Sequence, residues 1–310
     1  MSLKVSKLAK RYEDKWVLRD VSFEAQKGEI TGVFGADGAG KTTLIRLLSG
    51  AEKSNGGEIV AENDFYLPKS GNDSFWKSFV KSDKSTEVER QIAALDDALE
   101  KAVGGLFLDD AFCLMDKQKR EFYFAELRQR TRDKNLTVVF ATNDFDEIFA
   151  LCDKVAVLAK GEIQQFDVPR EVYEKPVNSE VARITGRNNL ITARRLSSSK
   201  KETPEFLTLD GDHRVFADRP EKALLGAITQ NVCLAIRPEH ISISFGASFP
   251  EDNLLKATIT EIIFQGSTTL VKLDANGLML TALVLRLVGL NIGDECMVGL
   301  PPDRILVLKD

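Results

Sequence analysis

Histidine and cysteine are scarce: the chain has two and four of them in 310 residues. Cys113, Cys152, Cys233 and Cys296 stand far apart with no C-x-x-C pair, and neither His213 nor His240 has a partner at metal-ligand spacing. A zinc site or a disulfide framework is therefore not expected, and buried, reduced thiols are. Long apolar runs are missing as well. Nothing comes near the ~18 apolar residues of a membrane helix, and the first twelve residues hold lysines without the apolar centre of a signal peptide. Contact with a membrane is expected to run through a partner. Basic excess is the third absence: residues 1–188 carry 29 basic and 32 acidic side chains, residues 189–310 carry 13 and 15. Binding to a phosphate backbone needs a positive surplus, so no nucleic-acid partner is expected. What remains is an ordinary globular composition, 43% hydrophobic and 29% charged with net charge −5, long enough for two domains.

Hydrophobic patterning divides the chain. Val17 to Phe23 and Glu29 to Phe34 read as strands, and Lys41 to Leu48 as a helix stopped by Ser49-Gly50. From Val88, the apolar residues Ile92, Leu95, Leu99 and Val103 recur at helical spacing up to Gly104-Gly105. Leu106 to Leu108, Thr137 to Ala141 and Val155 to Leu158 read as buried strands, separated by helices at Lys117 to Arg132 and Phe145 to Cys152. This alternation predicts an α/β domain with a mostly parallel sheet and flanking helices. Beyond about Arg187 the runs are β-rich and unbroken by helices: Val232 to Arg237, Ile241 to Ser244, Ala257 to Phe264, Thr269 to Leu273, Leu278 to Leu285 and Ile305 to Leu308. A small all-β, barrel-like domain is expected there. The polar stretch Leu196 to Pro204 reads as an exposed loop inside it.

Gly35-Ala36-Asp37-Gly38-Ala39-Gly40-Lys41-Thr42 fits G-x-x-x-x-G-K-[ST] and lies between an apolar strand and a helix, the context that gives the motif meaning. Glycines let backbone N–H groups curl around a phosphate, and the helix N-terminus adds favourable partial charge. The pattern implies ATP as ligand, with Lys41 reaching the β- and γ-phosphates and the Thr42 hydroxyl on Mg²⁺. A second magnesium carboxylate should end a neighbouring strand. Leu106-Phe107-Leu108 delivers Asp109 to the carboxyl edge of the sheet, where such sheets bind ligands.

Together these residues resemble the ATP-binding cassette family, in particular importer ATPases with a C-terminal TOBE domain. The resemblance implies a P-loop domain of that type over 1–187, with a reduced helical subdomain at about 52–104, and a TOBE-like, OB-like regulatory domain over 188–310. Tyr12, followed by Trp16 to Phe23 and Gly28-Glu29-Ile30, is similar to the family's opening hairpin, in which an aromatic stacks on adenine. Tyr12 is then the stacking ring and Trp16 its rival. The nucleotide contacts implied are Tyr12, Gly35, Asp37, Gly38, Ala39, Gly40, Lys41, Thr42 and Thr43. Cys113 to Asp116 resembles the loop that places an aspartate at a dimer interface. Gly161 to Gln165, Val168 to Tyr173 and Pro176 resemble the exit from the ATPase domain, and Ala235 to Glu239 and Val298 to Pro302 resemble TOBE segments. A membrane permease and a second ATP-binding subunit, identical or not, are the implied partners, with the chain cytoplasmic and peripheral on the inner face of the membrane.

The departures from the family bear on turnover. Its general base is a glutamate; Asp110 stands there instead, one methylene shorter, and base catalysis needs hydrogen-bond reach. Its switch histidine corresponds to Asn143, which can donate an amide hydrogen bond but cannot exchange a proton near neutral pH. The catalytic set implied is Lys41, Asp110 and Asn143. No glutamine occurs near Tyr66 to Ser70, where the family's glutamine loop begins, and the LSGGQ signature falls on Ser85-Thr86-Glu87-Val88-Glu89. Thr86 and Glu89 form a capping-box pattern, which predicts a helix N-terminus closed by its own side chains, and two carboxylates there would repel a phosphate. Binding of ATP with slow or partner-dependent hydrolysis is the expectation, and a regulatory pseudo-ATPase is the alternative. A P-loop kinase ranks last, since Arg90 is the single arginine between Arg46 and Asp109 and a lid needs several. Arg237 and Glu239 are either a site or a structural corner pair, and His240 is expected to be packed rather than a ligand. Phe75, Trp76 and Phe79 are either a remnant docking patch or core, with core preferred.

Overall fold

The computed structural model describes residues 2–61, 64–67, 86–196, 203–218, 225, 227–245, 253–286 and 289–308. Phe75, Trp76 and Phe79, Pro68 to Ser70 and most of the polar loop after Leu196 lie outside the described residues. The chain divides into two compact units between Glu174 and Lys175. That is upstream of the 187/188 division suggested by composition, because a short helix at 179–184 packs with the second unit through Ala182, beside Cys233, Ala235 and Leu308.

The first unit runs β1 (Leu3–Tyr12), β2 (Lys15–Ala25), β3 (Ile30–Phe34), α1 (Lys41–Leu48), β4 (Gly56–Val60), β5 (Asp64–Leu67), α2 (Glu87–Lys101) and β6 (Gly105–Asp109). It continues through α3 (Lys117–Asp133), β7 (Thr137–Thr142), α4 (Phe145–Leu151), β8 (Lys154–Ala159), β9 (Glu162–Asp167) and α5 (Pro169–Glu174). Six strands form one sheet in the order β5-β6-β7-β3-β8-β9, parallel except for β9. A second, antiparallel sheet has the order β2-β1-β4. Strand pleating sorts the side chains: Leu106, Leu108, Val138 and Phe140 face one core with Leu95, Leu99, Phe112, Phe124 and Leu127. Phe107, Val139 and Ala141 face the other, with Leu44, Leu47, Val5, Leu18 and Phe23. Burial on both faces is why these strands read as continuous apolar runs rather than alternating ones.

Two expectations need correction here. Residues 56–60 and 64–67, assigned to a reduced helical subdomain, are strands: β4 pairs with β1 and β5 with β6. Gly57 makes this possible, because its φ of +84° and its approach to the Lys7 and Leu8 backbone leave no room for a side chain. Val103, read as the last apolar position of α2, is 72% exposed. The helix ends at Lys101, and Ala102 already has an extended ψ of 129°, so the side chain of Val103 leaves the helical face. The thiols are not uniformly buried either. Cys233 and Cys296 are, Cys152 is half-buried, and Cys113 is exposed on the turn after β6.

Among the described residues the second unit has α6 (Ser179–Ile184) and ten strands: β10 (Asn189–Arg195), β11 (Glu205–Thr208), β12 (Arg214–Phe216), β13 (Asn231–Ile236), β14 (Ser242–Ser244), β15 (Asn253–Phe264), β16 (Thr269–Ala275), β17 (Leu278–Val284), β18 (Glu295–Leu300) and β19 (Leu306–Leu308). They pair antiparallel in two five-stranded sheets, β12-β11-β10-β13-β19 and β14-β18-β15-β16-β17, around one apolar core that includes Phe206, Val232, Leu234, Val271, Leu273 and Val298. Two buried asparagines tie the sheets together. Asn189 of β10 accepts from Thr281 N at 2.7 Å and donates to Thr281 O at 2.9 Å across to β17. Asn253 of β15 accepts from Phe216 N at 2.7 Å and donates to Phe216 O and Leu300 O, each at 2.9 Å. Each side chain thus substitutes for a missing neighbouring strand and satisfies buried backbone groups. Arg237 is structural: only 5% exposed, it donates to Arg187 O at 3.1 Å and to the Thr185 hydroxyl at 3.1 Å beyond the end of α6. Asn253→Leu keeps the branched four-atom shape but orphans an N–H and carbonyls, so it should cost about 2–4 kcal/mol. Urea unfolding measures this, and a cost below about 0.5 kcal/mol would mean the seam is held by packing alone.

Candidate functional site

The phosphate-loop residues 35–40 leave β3 and enter α1 as the motif requires. Gly35 is buried against the Leu158 carbonyl, where a Cβ would collide, and Gly40 adopts φ +107° against Leu18 and Val17. Asp37 and Gly38 are exposed, and Ala39 and Gly40 are partly so. No side chain caps α1: its N-cap is Gly40, and no acidic residue occupies its first turn. The orphan N–H groups of that turn therefore face outward with the positive end of the helix dipole. Lys41 is 7% exposed, and its ammonium donates to Gly35 O at 2.7 Å and Ala36 O at 3.1 Å. The charge is held over the loop by carbonyls, where it can be exchanged onto a polyphosphate.

Thr42 Oγ1 donates to Asp109 Oδ1 at 3.2 Å, although 67 residues separate them. Asp109 is 1% exposed at the end of β6. A hydroxyl and a carboxylate brought together at the sheet edge form a hard-oxygen pair of the kind Mg²⁺ takes when phosphates and water complete its shell. The next residue, Asp110, is buried with a left-handed φ of +47°, and its N–H donates to Ala141 O at 2.9 Å. That conformation is uncommon outside glycine and is held by the surrounding turn. Gln91 of α2, 1% exposed, reaches the Asp110 carbonyl at 3.5 Å.

Asn143 follows β7, and its amide donates to Asp37 Oδ1 at 3.0 Å. Asn143 and the phosphate loop are therefore in direct contact. Beside Asn143 lies a part-buried polar cluster. Thr142 Oγ1 donates to Glu147 Oε2 at 2.6 Å and accepts from Asp144 N at 3.0 Å. Arg120 of α3 pairs with Glu147 and Asp144, each at 3.2 Å. Burial drives the Glu147 carboxyl above the ordinary range. The Thr142 hydroxyl and Arg120 oppose this, and Asp144 and Asp110 add to it.

Tyr12 ends β1, 40% exposed, with its hydroxyl donating to Glu52 Oε2 at 2.6 Å and hydrogen-bonded to Thr43 at the start of α1. Trp16, 42% exposed, faces Arg11 at 5.6 Å. In the hairpin, Arg11 pairs with Trp16 and Tyr12 with Lys15, so the two rings project from opposite faces, and Tyr12 is the one beside Thr43. Asp116 accepts from Lys119 N at 2.8 Å as the N-cap of α3. The capping box is present: Glu89 N donates to Thr86 Oγ1 at 3.2 Å, and Thr86 N to Glu89 Oε2 at 2.8 Å. Sequence reasoning missed Glu52, Gln91, Arg120 and Glu147. Their partners lie between 19 and 40 residues away in the first three cases, and Glu147 reads locally as a surface residue of a short helix.

The fold and the loop define a P-loop ATPase. The ABC transporter profile matches residues 18–176 and the TOBE domain profile residues 234–308, and the chain belongs to the ABC transporter family as an ATP-binding member with a C-terminal TOBE domain. Among similar proteins, the spermidine/putrescine import ATP-binding protein PotA of Protochlamydia amoebophila is 24% identical over 312 residues, covering 84% of this chain and 83% of its own. The Fe(3+) ions import ATP-binding protein FbpC of Haemophilus influenzae is 26% identical over 351 residues, 96% of each. A solved structure, described as the ATP binding subunit of an ABC transporter, aligns at 15% identity and a TM-score of 0.49 over 56% of this chain and 92% of its own. Among the described residues no helix is long and apolar enough to cross a membrane.

Two outcomes test the geometry. Thr86→Ala should cost about 1 kcal/mol of stability as a lost N-cap; no change in a denaturation midpoint would mean the box is not formed in solution. For Glu52, burial works to raise the carboxyl, but hydrogen bonds from Tyr12 and Lys10 outweigh it and hold it below the ordinary 4.5. A depressed carboxylate contributes stability above its unfolded value and loses it as pH falls through the folded one. Wild-type protein should therefore lose stability more steeply below pH 4.5 than Glu52→Gln. Parallel acid profiles would refute the assignment.

Proposed function

We propose that this chain is the ATP-binding subunit of an importer, docked through a permease on the cytoplasmic face of the membrane and working as a dimer, identical or mixed. Its nucleotide is Mg-ATP, held by the main-chain amides of Gly35, Asp37, Gly38, Ala39 and Gly40, by Lys41, Thr42 and Thr43, and by the ring of Tyr12 against the base. The observation that carries the reading is the contact of Thr42 with Asp109 beside the open N-terminus of α1. These two residues would hold Mg²⁺, which when bound neutralises phosphate charge. Lys41 exchanges the Gly35 and Ala36 carbonyls for phosphate oxygens, and the Asn143 amide turns from Asp37 to the γ-phosphate. Asp110 is the group from which a base would act on water. The two named relatives carry cargoes as unlike as a polyamine and a ferric ion, which supports a role in energy coupling rather than cargo choice.

Turnover is slow in this reading. Asp110 is a methylene shorter than a glutamate and points from a constrained turn, and a base out of hydrogen-bond reach forfeits much of the ~10²- to 10⁴-fold such catalysis supplies. The capping box supports the same conclusion. Two of the N–H groups at the start of α2, those of Thr86 and Glu89, are already engaged by each other's side chains, and Glu87 and Glu89 add repulsion toward a partner's phosphate. A regulatory pseudo-ATPase is the second reading, favoured by the same closed helix.

Binding and hydrolysis measured together decide between them. Wild-type protein should bind Mg-ATP saturably with little turnover, Lys41→Ala should lose binding, and Asp110→Glu should raise turnover at least about tenfold. Absence of saturable binding in the wild type removes the proposal. Wild-type turnover already at the level of Asp110→Glu removes the slow-hydrolysis part, and a flat response to Asp110→Glu favours the pseudo-ATPase.

A further inference from the structure

Asn143 stands between two residues whose side chains both join the same part-buried cluster, in which Thr142 and Glu147 are buried and Asp144 is partly exposed. Thr142 gives its hydroxyl hydrogen to Glu147. Asp144 caps α4 through Oδ1, accepting from Asp146 N at 2.9 Å, and holds Arg120 through Oδ2. Arg120 also reaches Met115 O at 3.3 Å, in the turn that follows Asp110. That turn is closed by Cys113 N on Asp110 O at 3.3 Å and Met115 N on Phe112 O at 3.0 Å. One guanidinium therefore spans the two loops that carry Asp110 and Asn143, with one amino group on carboxylates and the other on a main-chain carbonyl.

We propose that Arg120 is the positioning residue of this site: it fixes the loop of Asn143 relative to the turn of Asp110 and so sets the preference for a nucleoside triphosphate over a diphosphate. The inference rests on the reading above that Asn143 meets the γ-phosphate. Its physical basis is burial. The Glu147 side chain is 6% exposed and the Arg120 side chain 28%; without the guanidinium the carboxylate is a buried charge missing its cation, and it must take a proton or move. A carboxylate that moves releases the Thr142 hydroxyl, and one that takes a proton holds it only as a weaker, neutral acceptor; that hydroxyl also holds Asp144 N, so the anchoring of both neighbours of Asn143 is loosened. Hydrogen bonding to a phosphate tolerates little displacement, and the loss falls on the third phosphate because the diphosphate is held by residues 35–43. A lysine would not substitute. Its single ammonium can meet the carboxylates, but it lacks the planar fork that serves Met115 O in another direction.

The test compares equilibrium binding of Mg²⁺ with the β,γ-imido analogue of ATP and with ADP, so that hydrolysis plays no part. Arg120→Gln should lower the ratio of triphosphate to diphosphate affinity by about tenfold, the worth of one hydrogen bond to a charged group, while ADP affinity stays within about twofold. Asn143→Ala should lower the ratio equally, and the double variant Arg120→Gln/Asn143→Ala should lower it no further, because one acts through the other. Should Arg120→Gln fail to fold, Arg120→Lys keeps the charge beside Glu147 and should still lower the ratio. An unchanged ratio in Arg120→Gln, or in Arg120→Lys where that is the variant used, overturns the inference, as do losses that add in the double variant. Wild-type protein that binds neither nucleotide overturns the inference together with the functional reading beneath it, which distinguishes that failure from the others.

Discussion

Parallel pairing sets Phe34 of β3 beside Thr142 of β7 and beside Val157 of β8, while Asp109 of β6 lies beside Ala141. The central strands therefore end in register, and the residues that follow them emerge at a common edge. Gly35 begins the phosphate loop there, Asp110 turns away there with its N–H on Ala141 O, and Asn143 reaches back to Asp37. Register is fixed by the two apolar cores, since a slip of one residue would turn Phe107 and Val139 out of one core and into the other. The chemistry at the edge is thus a consequence of the packing beneath it.

Buried charge at that edge is stabilised by substitution rather than by isolation. The Lys41 ammonium is held by two carbonyls of the loop it serves, so its desolvation is already compensated before any ligand arrives. An anionic acceptor in place of those carbonyls would strengthen the hydrogen bonds without a fresh cost of burial. Arg120 and Glu147 follow the same rule beside Asn143, where a carboxyl raised by burial is opposed by a guanidinium and a hydroxyl. Neither group contributes much to stability as a pair in isolation. What they fix is geometry.

Legibility followed distance along the chain. The phosphate loop was readable because glycine placement, strand and helix lie within twenty residues and act through the backbone. Asp109 was readable because three apolar residues precede it, and the capping box because its partners are three apart. Tyr12 with Glu52, Arg120 with Glu147, and the seams at Asn189 and Asn253 join residues that no local pattern links. Strands β4 and β5 were hidden for the same reason, since their pairing partners β1 and β6 are remote and Gly57 reads as a loop signal. Val103 misled because it continued a helical spacing past the point where Ala102 leaves the helix. Cys113 misled because cysteine is usually buried, whereas here it sits on an exposed turn.

The two helix N-termini show how sequence decides which one can receive an anion. Helices α1 and α2 share the same backbone dipole and the same set of amides without intrahelical partners. At α1 the preceding residue is glycine, nothing caps the first turn, and no carboxylate lies within it. At α2 threonine precedes, Glu89 answers it, and Glu87 and Glu89 place negative charge on the first turn. At α2 two of the first amides are already hydrogen-bonded and like charge lies beside them, whereas at α1 no side chain engages the first turn. The asymmetry arises from a handful of side chains on an otherwise common scaffold, and it leaves the N-terminus of α1 open while two amides of α2 are closed by its own side chains.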